Sequence, residues 1–176
     1  MNYDVVSKII EDPRVATLKF VGSTEVGKKL AEQCGRAMKR CAFELGGSDP
    51  FIVFDDAEID LAVSKALQGR LHTTGQACNN AKRFIIHENI YNEFMSKLKS
   101  QLDSYIKVGD PMDPETTIGP LSMQKSKEDL TKQVKESIEK GATVSYGSLD
   151  WKMEDPNLKD GAYFYPMILE NVQPGM

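Results

Sequence analysis

Residues 17–34, TLKFVGSTEVGKKLAEQC, contain the pattern from which the fold class of this chain is predicted. Thr17 to Val21 predicts a short β-strand, and Gly22 then predicts a turn. Ser23 is a suitable helix N-cap, because its hydroxyl can accept a hydrogen bond from the first helical turn. Apolar side chains recur behind it at every fourth position and share one helical face: Val26, Leu30 and Cys34. A strand followed directly by a helix is the unit from which α/β folds are built.

The same alternation continues through the rest of the chain. Further strands are predicted at residues 40–45, 51–54, 83–87, 142–146 and 162–172. Helices are predicted after an Asp55–Glu58 capping box, after Asn89 as an N-cap, and over a segment that ends at Gly141. The stretch 108–120 is rich in Gly, Pro and Asp and predicts a surface loop. We therefore expect an α/β fold with a layered, mostly parallel sheet and flanking helices.

The composition is typical of a globular domain. Hydrophobic residues make up 40% of the 176 residues and charged residues 27%, so a core and a hydrated surface are both possible. These proportions exclude an intrinsically disordered chain. No apolar run approaches the roughly 20 residues that a membrane helix needs, and the N-terminus lacks the pattern of a secretory signal. We therefore expect no membrane partner.

The net charge of −4 is unevenly distributed, because residues 1–88 sum to zero and residues 89–176 to −4. Neither half is basic, which argues against nucleic acid as a partner. The odd count of three cysteines fits a reducing cytoplasm, where unpaired thiols persist. The sequence has no zinc-binding spacing and contains two histidines, so we expect no metal site.

Phe20 to Gly27, FVGSTEVG, is the first of three segments whose residues suit chemistry. The backbone N–H groups at a helix N-terminus are unpaired and suit a phosphate, and a glycine lets a ligand approach the backbone closely. A plain strand-to-helix turn also accounts for this segment, because it does not match the GxGxxG dinucleotide fingerprint.

Phe43 to Gly47, FELGG, is the second segment and places a carboxylate at the end of a predicted strand. A half-buried Glu44 beside a cleft would have a raised pKa and would be a usable general base near neutral pH. An exposed glutamate before a turn is the alternative interpretation.

Thr73 to Arg83, TTGQACNNAKR, is the third segment and places Cys78 in a loop of small and polar residues. A substrate can reach a thiol in such a loop, and neighbouring amides can stabilise its thiolate or an oxyanion. The alternative is a cysteine packed in the interior as a small hydrophobe. Polar neighbours favour the accessible thiol: Gln76, Asn79 and Asn80. The other two cysteines, Cys34 and Cys41, are interpreted as core residues.

Taken in this order, the three segments resemble the aldehyde dehydrogenase superfamily. The resemblance rests on FVGSTEVG, on FELGGSDPFIVFDDAEID and on TGQACNNAKRF, and IGPL at residues 118–121 matches the pattern that follows them in the family. It covers nearly the whole chain. The segments ELGGSDPFIV and AKRFIIH look most similar to the branch that oxidises succinate semialdehyde.

The resemblance implies a covalent mechanism with NAD or NADP as the cofactor. Cys78 would attack the aldehyde carbonyl, and its backbone N–H together with an asparagine from elsewhere in the family's fold would hold the oxyanion. After hydride transfer, Glu44 would activate the water that hydrolyses the thioester. The residues implied in cofactor binding are Gly22 and Ser23 at the pyrophosphate, Val26 near the adenine, Leu45 and Gly46 at the nicotinamide, and also Gly27.

Members of this family are much longer than this chain, so we expect an excised piece of a larger enzyme. Residues 1–43 would be the last strand–helix unit of the cofactor-binding domain, and residues 44–176 the front part of the catalytic domain. By itself the piece is expected to be inactive. In the full-length protein the family implies a homo-oligomer that acts on a small-molecule aldehyde.

Two alternatives remain open from the sequence. The chain could be a non-catalytic binding or regulatory module derived from such an enzyme. It could also be a cysteine hydrolase, which needs a histidine to activate the thiol. The two candidates for that role are His72, before the Cys78 loop, and His87, in a predicted strand.

Overall fold

The computed structural model describes residues 3–176 and confirms the predicted α/β alternation. The chain divides into two units, one ending at Ser48 and one beginning at Asp49. The predicted domain boundary after residue 43 lies five residues before this division. Residues 44–48 group with the first unit because the strand that ends at Glu44 pairs within it.

The first unit consists of two helices and two strands in the order α1 (Tyr3–Glu11), β1 (Thr17–Val21), α2 (Thr24–Arg36) and β2 (Arg40–Glu44). Strands β1 and β2 are parallel, and their register runs from Thr17 opposite Arg40 to Val21 opposite Glu44. Parallel pairing places the carboxyl ends of both strands at the same edge, beside the start of α2.

Helix α2 forms as its sequence predicts. Ser23 is the N-cap with extended backbone (φ −70°, ψ 149°), and its Oγ accepts a hydrogen bond from Val26 N at 3.4 Å. Leu30 and Cys34 are buried on the expected face and form the core of this unit with Ile10. Cys41 is exposed, so its predicted place in the core is wrong. The reason is that four of the five side chains of β2 are exposed.

The second unit contains the remaining elements. In chain order they are β3 (Asp49–Val53), α3 (Ile59–Leu71), β4 (Ala81–Ile86), α4 (Tyr91–Tyr105), α5 (Gln124–Glu139), β5 (Thr143–Tyr146) and β6 (Ile168–Glu170). Strands β3 and β4 pair in parallel, whereas β5 and β6 pair antiparallel. The core lies where α3 and α4 pack on β3 and β4, and its least exposed members are Val63, Ala66, Phe94 and Ile118.

The two predicted N-caps of the second unit are wrong. Helix α3 begins after Glu58 without a side-chain cap, and Asp55 instead accepts a hydrogen bond from Asn89 Nδ2 at 3.4 Å. The cap near Asn89 is His87, whose Nδ1 accepts from Asn89 N at 3.3 Å and starts a 3₁₀ turn before α4. In both places several polar side chains are adjacent, and the sequence alone does not tell which one reaches the unpaired amide.

Two further predictions change in the structure. Within the predicted strand at 162–172, Ile168–Glu170 alone pairs as β6, and Pro166 before it has no N–H to donate to a ladder. In the predicted surface loop at 108–120, residues 110–115 are exposed, but Ile118 is buried and forms a parallel bridge with Val108. Among the helices of residues 3–176, none is both long and apolar enough to cross a bilayer.

Candidate active site

The residues predicted to bind a cofactor come together in the first unit, at the start of α2. Gly22 N donates a hydrogen bond to the carbonyl of Glu44 at 3.1 Å, which joins the two strand ends. Leu45 lies so close over Gly27 that a Cβ placed on this glycine would be 2.6 Å from Leu45 Cδ2. At Gly46 the same construction meets Thr24 Oγ1 at 3.7 Å, which is ordinary contact. An alanine at position 27 would therefore require the Leu45 side chain to shift.

The start of α2 has the electrostatics of an anion site. The first N–H groups of a helix have no carbonyl within the helix to bond, and the helix dipole adds partial positive charge there. Glu25 is the acidic residue of this turn, and its carboxylate pairs with Lys28 Nζ at 3.2 Å. Both side chains are largely exposed, so this ion pair contributes little to stability. The binding of a dinucleotide phosphate at these amides stays a prediction.

Glu44 ends β2 with an exposed side chain. The structure therefore agrees with the alternative of an exposed glutamate before a turn. Within residues 3–176, the Glu44 side chain is not half-buried. Its backbone is held by the bond from Gly22. A catalytic role for this carboxylate stays a prediction.

Cys78 lies in the second unit, in the loop between α3 and β4, and its side chain is exposed. The alternative of a thiol packed in the interior is therefore wrong. Lys82 Nζ donates to the Cys78 carbonyl at 2.9 Å and to the Asn80 carbonyl at 3.0 Å. The Lys82 ammonium group thus binds two carbonyls of the turn that carries the thiol.

The backbone that leads into Cys78 is strained. In the turn His72–Gly75, Thr73 and Thr74 have left-handed φ of 52° and 56°, followed by Gly75 at 74°. A β-branched residue with positive φ is an outlier that costs about 1–3 kcal/mol and persists only where the surroundings impose it. Such strain clusters at functional sites.

Hydrogen bonds to the segment 118–122 impose this conformation. Thr74 Oγ1 accepts from Gly119 N at 3.2 Å, and Gln76 Oε1 accepts from Ser122 N at 2.8 Å. The IGPL motif at residues 118–121 therefore has a physical role in this chain. It anchors the loop that presents Cys78.

Arg70, in the last turn of α3, is half-buried beside this loop. Its Nη1 donates to the Ala81 carbonyl at 3.3 Å, and burial lowers the pKa of its guanidinium. A Cβ on Gly75 would lie 2.8 Å from Arg70 Nη2, so the glycine makes room for the cation. This contact was not predicted from the sequence.

Asn80 is a buried polar residue in the loop that carries Cys78. Its side chain is 2% exposed. The amide Nδ2 lies within hydrogen-bonding distance of three carbonyls at the end of α3, and Oδ1 accepts from Ala77 N. The available signal was an asparagine shortly after a helix end, which is a residue type that bonds local backbone groups.

The two histidines have other roles than activating the thiol. His87 caps the turn before α4 and lies 4.0 Å from Asp55 Oδ2. His72 is exposed, and its carbonyl accepts from Asn80. Neither imidazole is hydrogen-bonded to Cys78 within residues 3–176. In the same residues, His, Cys, Asp and Glu side chains form no group of three or more suited to a metal ion.

Comparisons with known proteins agree on one family. The aldehyde dehydrogenase family matches residues 2–176. The succinate-semialdehyde dehydrogenase (NADP+) of Deinococcus radiodurans is 42% identical over 171 residues, which cover 97% of this chain and 34% of that protein. The succinate semialdehyde dehydrogenase (NAD(P)+) of Escherichia coli is 39% identical over 98% of this chain and 36% of its own length.

Solved structures give the same picture. The succinic semialdehyde dehydrogenase of Streptococcus pyogenes, in complex with NADP+, superposes with a TM-score of 0.87 at 37% identity. The match covers 96% of this chain and 36% of that one. The chain thus spans about a third of the length of the relatives it matches.

Proposed function

Because the chain belongs to the aldehyde dehydrogenase family, we propose that it carries the nucleophile and the general base of an NAD(P)-dependent enzyme that oxidises succinate semialdehyde. The observation that carries the proposal is the exposed Cys78 on a strained, anchored loop. The substrate is inferred from relatives at 42% and 39% identity that are named as succinate-semialdehyde dehydrogenases.

Cys78 forms the covalent bond to substrate in this proposal. Its thiolate adds to the aldehyde carbon, a C–S bond forms, and the carbonyl π electrons move to the oxygen. The Cys78 backbone N–H suits this oxyanion, because no protein atom among the described residues accepts a hydrogen bond from it. In this proposal, the loop between α3 and β4 holds the Cys78 amide in position.

The start of α2 is the proposed cofactor site. The residues assigned to it are Gly22, Ser23, Val26, Gly27, Leu45 and Gly46. In this proposal the unpaired amides at the helix start bind the pyrophosphate. When bound, NAD+ or NADP+ supplies the acceptor for the hydride that leaves the aldehyde carbon.

Glu44 is the proposed base for the second half of the reaction. Loss of the hydride leaves a thioester on Cys78. The carboxylate takes a proton from water while the water oxygen adds to the thioester carbon. The C–S bond then breaks, which releases the carboxylic acid and restores the thiolate.

The same proposal includes the cellular compartment, the substrate and the oligomeric state of the full-length protein. Three unpaired cysteines support a reducing compartment such as the cytoplasm. The proposed substrate is a small-molecule aldehyde. By resemblance to the family, the full-length protein is proposed to be a homo-oligomer.

Replacing the nucleophile tests the proposal. We expect the full-length protein to reduce NAD+ or NADP+ with succinate semialdehyde, and Cys78→Ala to lower turnover by about a thousandfold or more, because the covalent route is lost. Absorbance of the reduced nicotinamide measures the rate. The matched control is Cys41→Ala, which removes the other exposed thiol and leaves turnover unchanged. Normal turnover by Cys78→Ala would defeat the assignment.

A further inference from the structure

We propose that Asn80 is a positioning residue, whose buried carboxamide holds the turn that presents Cys78. It acts on the reaction through Cys78 and does not touch the substrate. The proposal rests on the proposed function of Cys78 as the nucleophile. Its evidence is a set of contacts that a packing asparagine would not need.

The carboxamide nitrogen of Asn80 binds the end of α3. Nδ2 lies 3.1 Å from the Gly69 carbonyl, 2.9 Å from that of Arg70 and 3.2 Å from that of His72. The last carbonyls of a helix have no partner within the helix. Asn80 therefore serves as a cap supplied from eight to eleven residues further along the chain.

The carboxamide oxygen of Asn80 binds the other side of the loop. Oδ1 accepts from Ala77 N at 2.6 Å, and Asn80 N donates to the Ala77 carbonyl at 3.2 Å. The peptide groups of the residue just before the thiol are thus held on both sides by one residue. The Cys78 amide between them remains without a protein acceptor among residues 3–176.

Asparagine is the residue type that this site requires. The site needs two N–H donors and one acceptor at the tip of a short side chain, and a carboxamide provides both. An aspartate has the same shape but, when ionised, no donor, and its charge would face three carbonyl oxygens. A buried side chain with this number of partners is costly to disturb, because each lost bond leaves a desolvated group unpaired.

The adjacent asparagine provides a matched control. Asn79 precedes Asn80 in the same turn and is exposed, so it shares residue type and location but not burial. Removal of its carboxamide changes the local composition without removing the cap. A difference between substitutions at the two positions therefore isolates the contacts of Asn80.

The test compares Asn80→Ala, Asn80→Asp and Asn79→Ala by two readouts. The first is the rate at which iodoacetamide alkylates Cys78 at each pH, measured by mass spectrometry on the tryptic peptide 71–82, which contains this thiol alone. The second is kcat and KM of the full-length protein per mole of folded protein, determined by circular dichroism.

Asn80→Asp should produce a pH signature. When the introduced carboxyl is protonated it is neutral and can donate one bond, so alkylation stays near the wild-type rate. As pH rises and the group ionises, its charge disfavours the nearby thiolate, and the ratio of variant to wild-type rates falls by about tenfold. A structural change in the turn without this charge effect would leave the ratio independent of pH, because Cys78 is already exposed. A flat or rising ratio overturns the proposal.

Asn80→Ala should separate kcat from KM. We expect kcat to fall by about a hundredfold, since small displacements of a reacting group have effects of this size, while KM for aldehyde and cofactor changes by less than about threefold. Asn79→Ala should match the wild type in both. A fall in total activity that only follows the folded fraction overturns the proposal, as does wild-type kcat in Asn80→Ala.

Failure of the proposed function gives a different result. If the wild-type protein reduces neither NAD+ nor NADP+ with any aldehyde, the enzyme assignment fails. The alkylation ratio of Asn80→Asp still reports whether Asn80 controls the Cys78 turn. If Asn80→Ala does not fold, the isosteric Asn80→Asp at low pH retains the readout.

Discussion

The three residues that lead into the Cys78 turn show how one position can require glycine. Thr73 and Thr74 adopt left-handed φ despite their β-branched side chains, and the contact of Thr74 with Gly119 N helps to hold them. Gly75 continues this conformation at φ 74°, and its missing side chain leaves room for the Arg70 guanidinium. Backbone conformation and packing therefore impose the same residue type at Gly75.

A side chain at Gly75 should be costly. We expect Gly75→Ala to lower the free energy of unfolding by about 1–2 kcal/mol, because alanine is strained at positive φ. Its Cβ would also lie 2.8 Å from Arg70 Nη2, so the guanidinium would have to move. Chemical denaturation of the purified variants measures the change.

Gly69 provides the control for this substitution in the same unit. It lies within α3, and an added Cβ would meet Ala81 Cβ at an ordinary 3.8 Å. Alanine favours a helix over glycine, so Gly69→Ala should raise the free energy of unfolding by about 0.5–1 kcal/mol. Equal stability of the two variants would show that Gly75 does not adopt the left-handed conformation in solution.

Helix α2 joins local stability to the proposed cofactor site. Ser23 accepts the hydrogen bond from Val26 N, and the remaining amides of the first turn suit an anion. Ser23 thus caps α2 and is also part of the proposed pyrophosphate site. The two roles have different chemical requirements, because capping needs an oxygen acceptor whereas phosphate binding disfavours negative charge.

Two substitutions at Ser23 should separate these roles. Ser23→Ala removes the acceptor and should lower the free energy of unfolding by about 1 kcal/mol, as N-cap losses do. Ser23→Asp keeps an acceptor and adds a charge that the helix dipole favours, so stability is retained. Its carboxylate should nevertheless repel the pyrophosphate and weaken NADP+ binding by about tenfold or more. Isothermal calorimetry of the full-length protein measures this affinity.

The outcome at Ser23 bears directly on the cofactor assignment. If Ser23→Asp is stable and binds NADP+ as tightly as the wild type, the pyrophosphate does not lie at this helix start. The conservative variant Ser23→Thr should retain both properties, because threonine caps and carries no charge.

Elements with a strong local pattern were predictable from sequence, and contacts between elements were not. Strand β1 and helix α2 follow from a β-rich run, an N-cap and fourth-residue spacing, all of which lie within residues 17–34. Asn80 bonds carbonyls up to eleven residues earlier, whose positions depend on how the loop folds back. His87 displaced Asn89 as a cap for a similar reason. The candidate thiol was recognisable from its neighbours, whereas the network that holds it was not.

At the scale of the whole molecule, the two units have separate hydrophobic cores. Ile10, Leu30 and Cys34 form the buried cluster of the first unit. Phe94 is central to the larger cluster of the second, together with members such as Val63, and the two clusters share no residue. Each unit thus buries its own apolar surface, which is the physical basis of cooperative folding within a unit.

This separation predicts that core substitutions act within one unit. Leu30 is 2% exposed and Phe94 fully buried, so Leu30→Ala should cost about 2–5 kcal/mol and Phe94→Ala about 3–5 kcal/mol through lost contacts and the cavity left behind. Native-state hydrogen exchange by mass spectrometry measures protection along the chain. Leu30→Ala should accelerate exchange in residues up to Ser48, and Phe94→Ala in residues from Asp49 onward. Equal loss of protection in both units from either substitution would show that they unfold as one cooperative body. A substitution in the core of one unit lowers protection in the other unit only if the two unfold together.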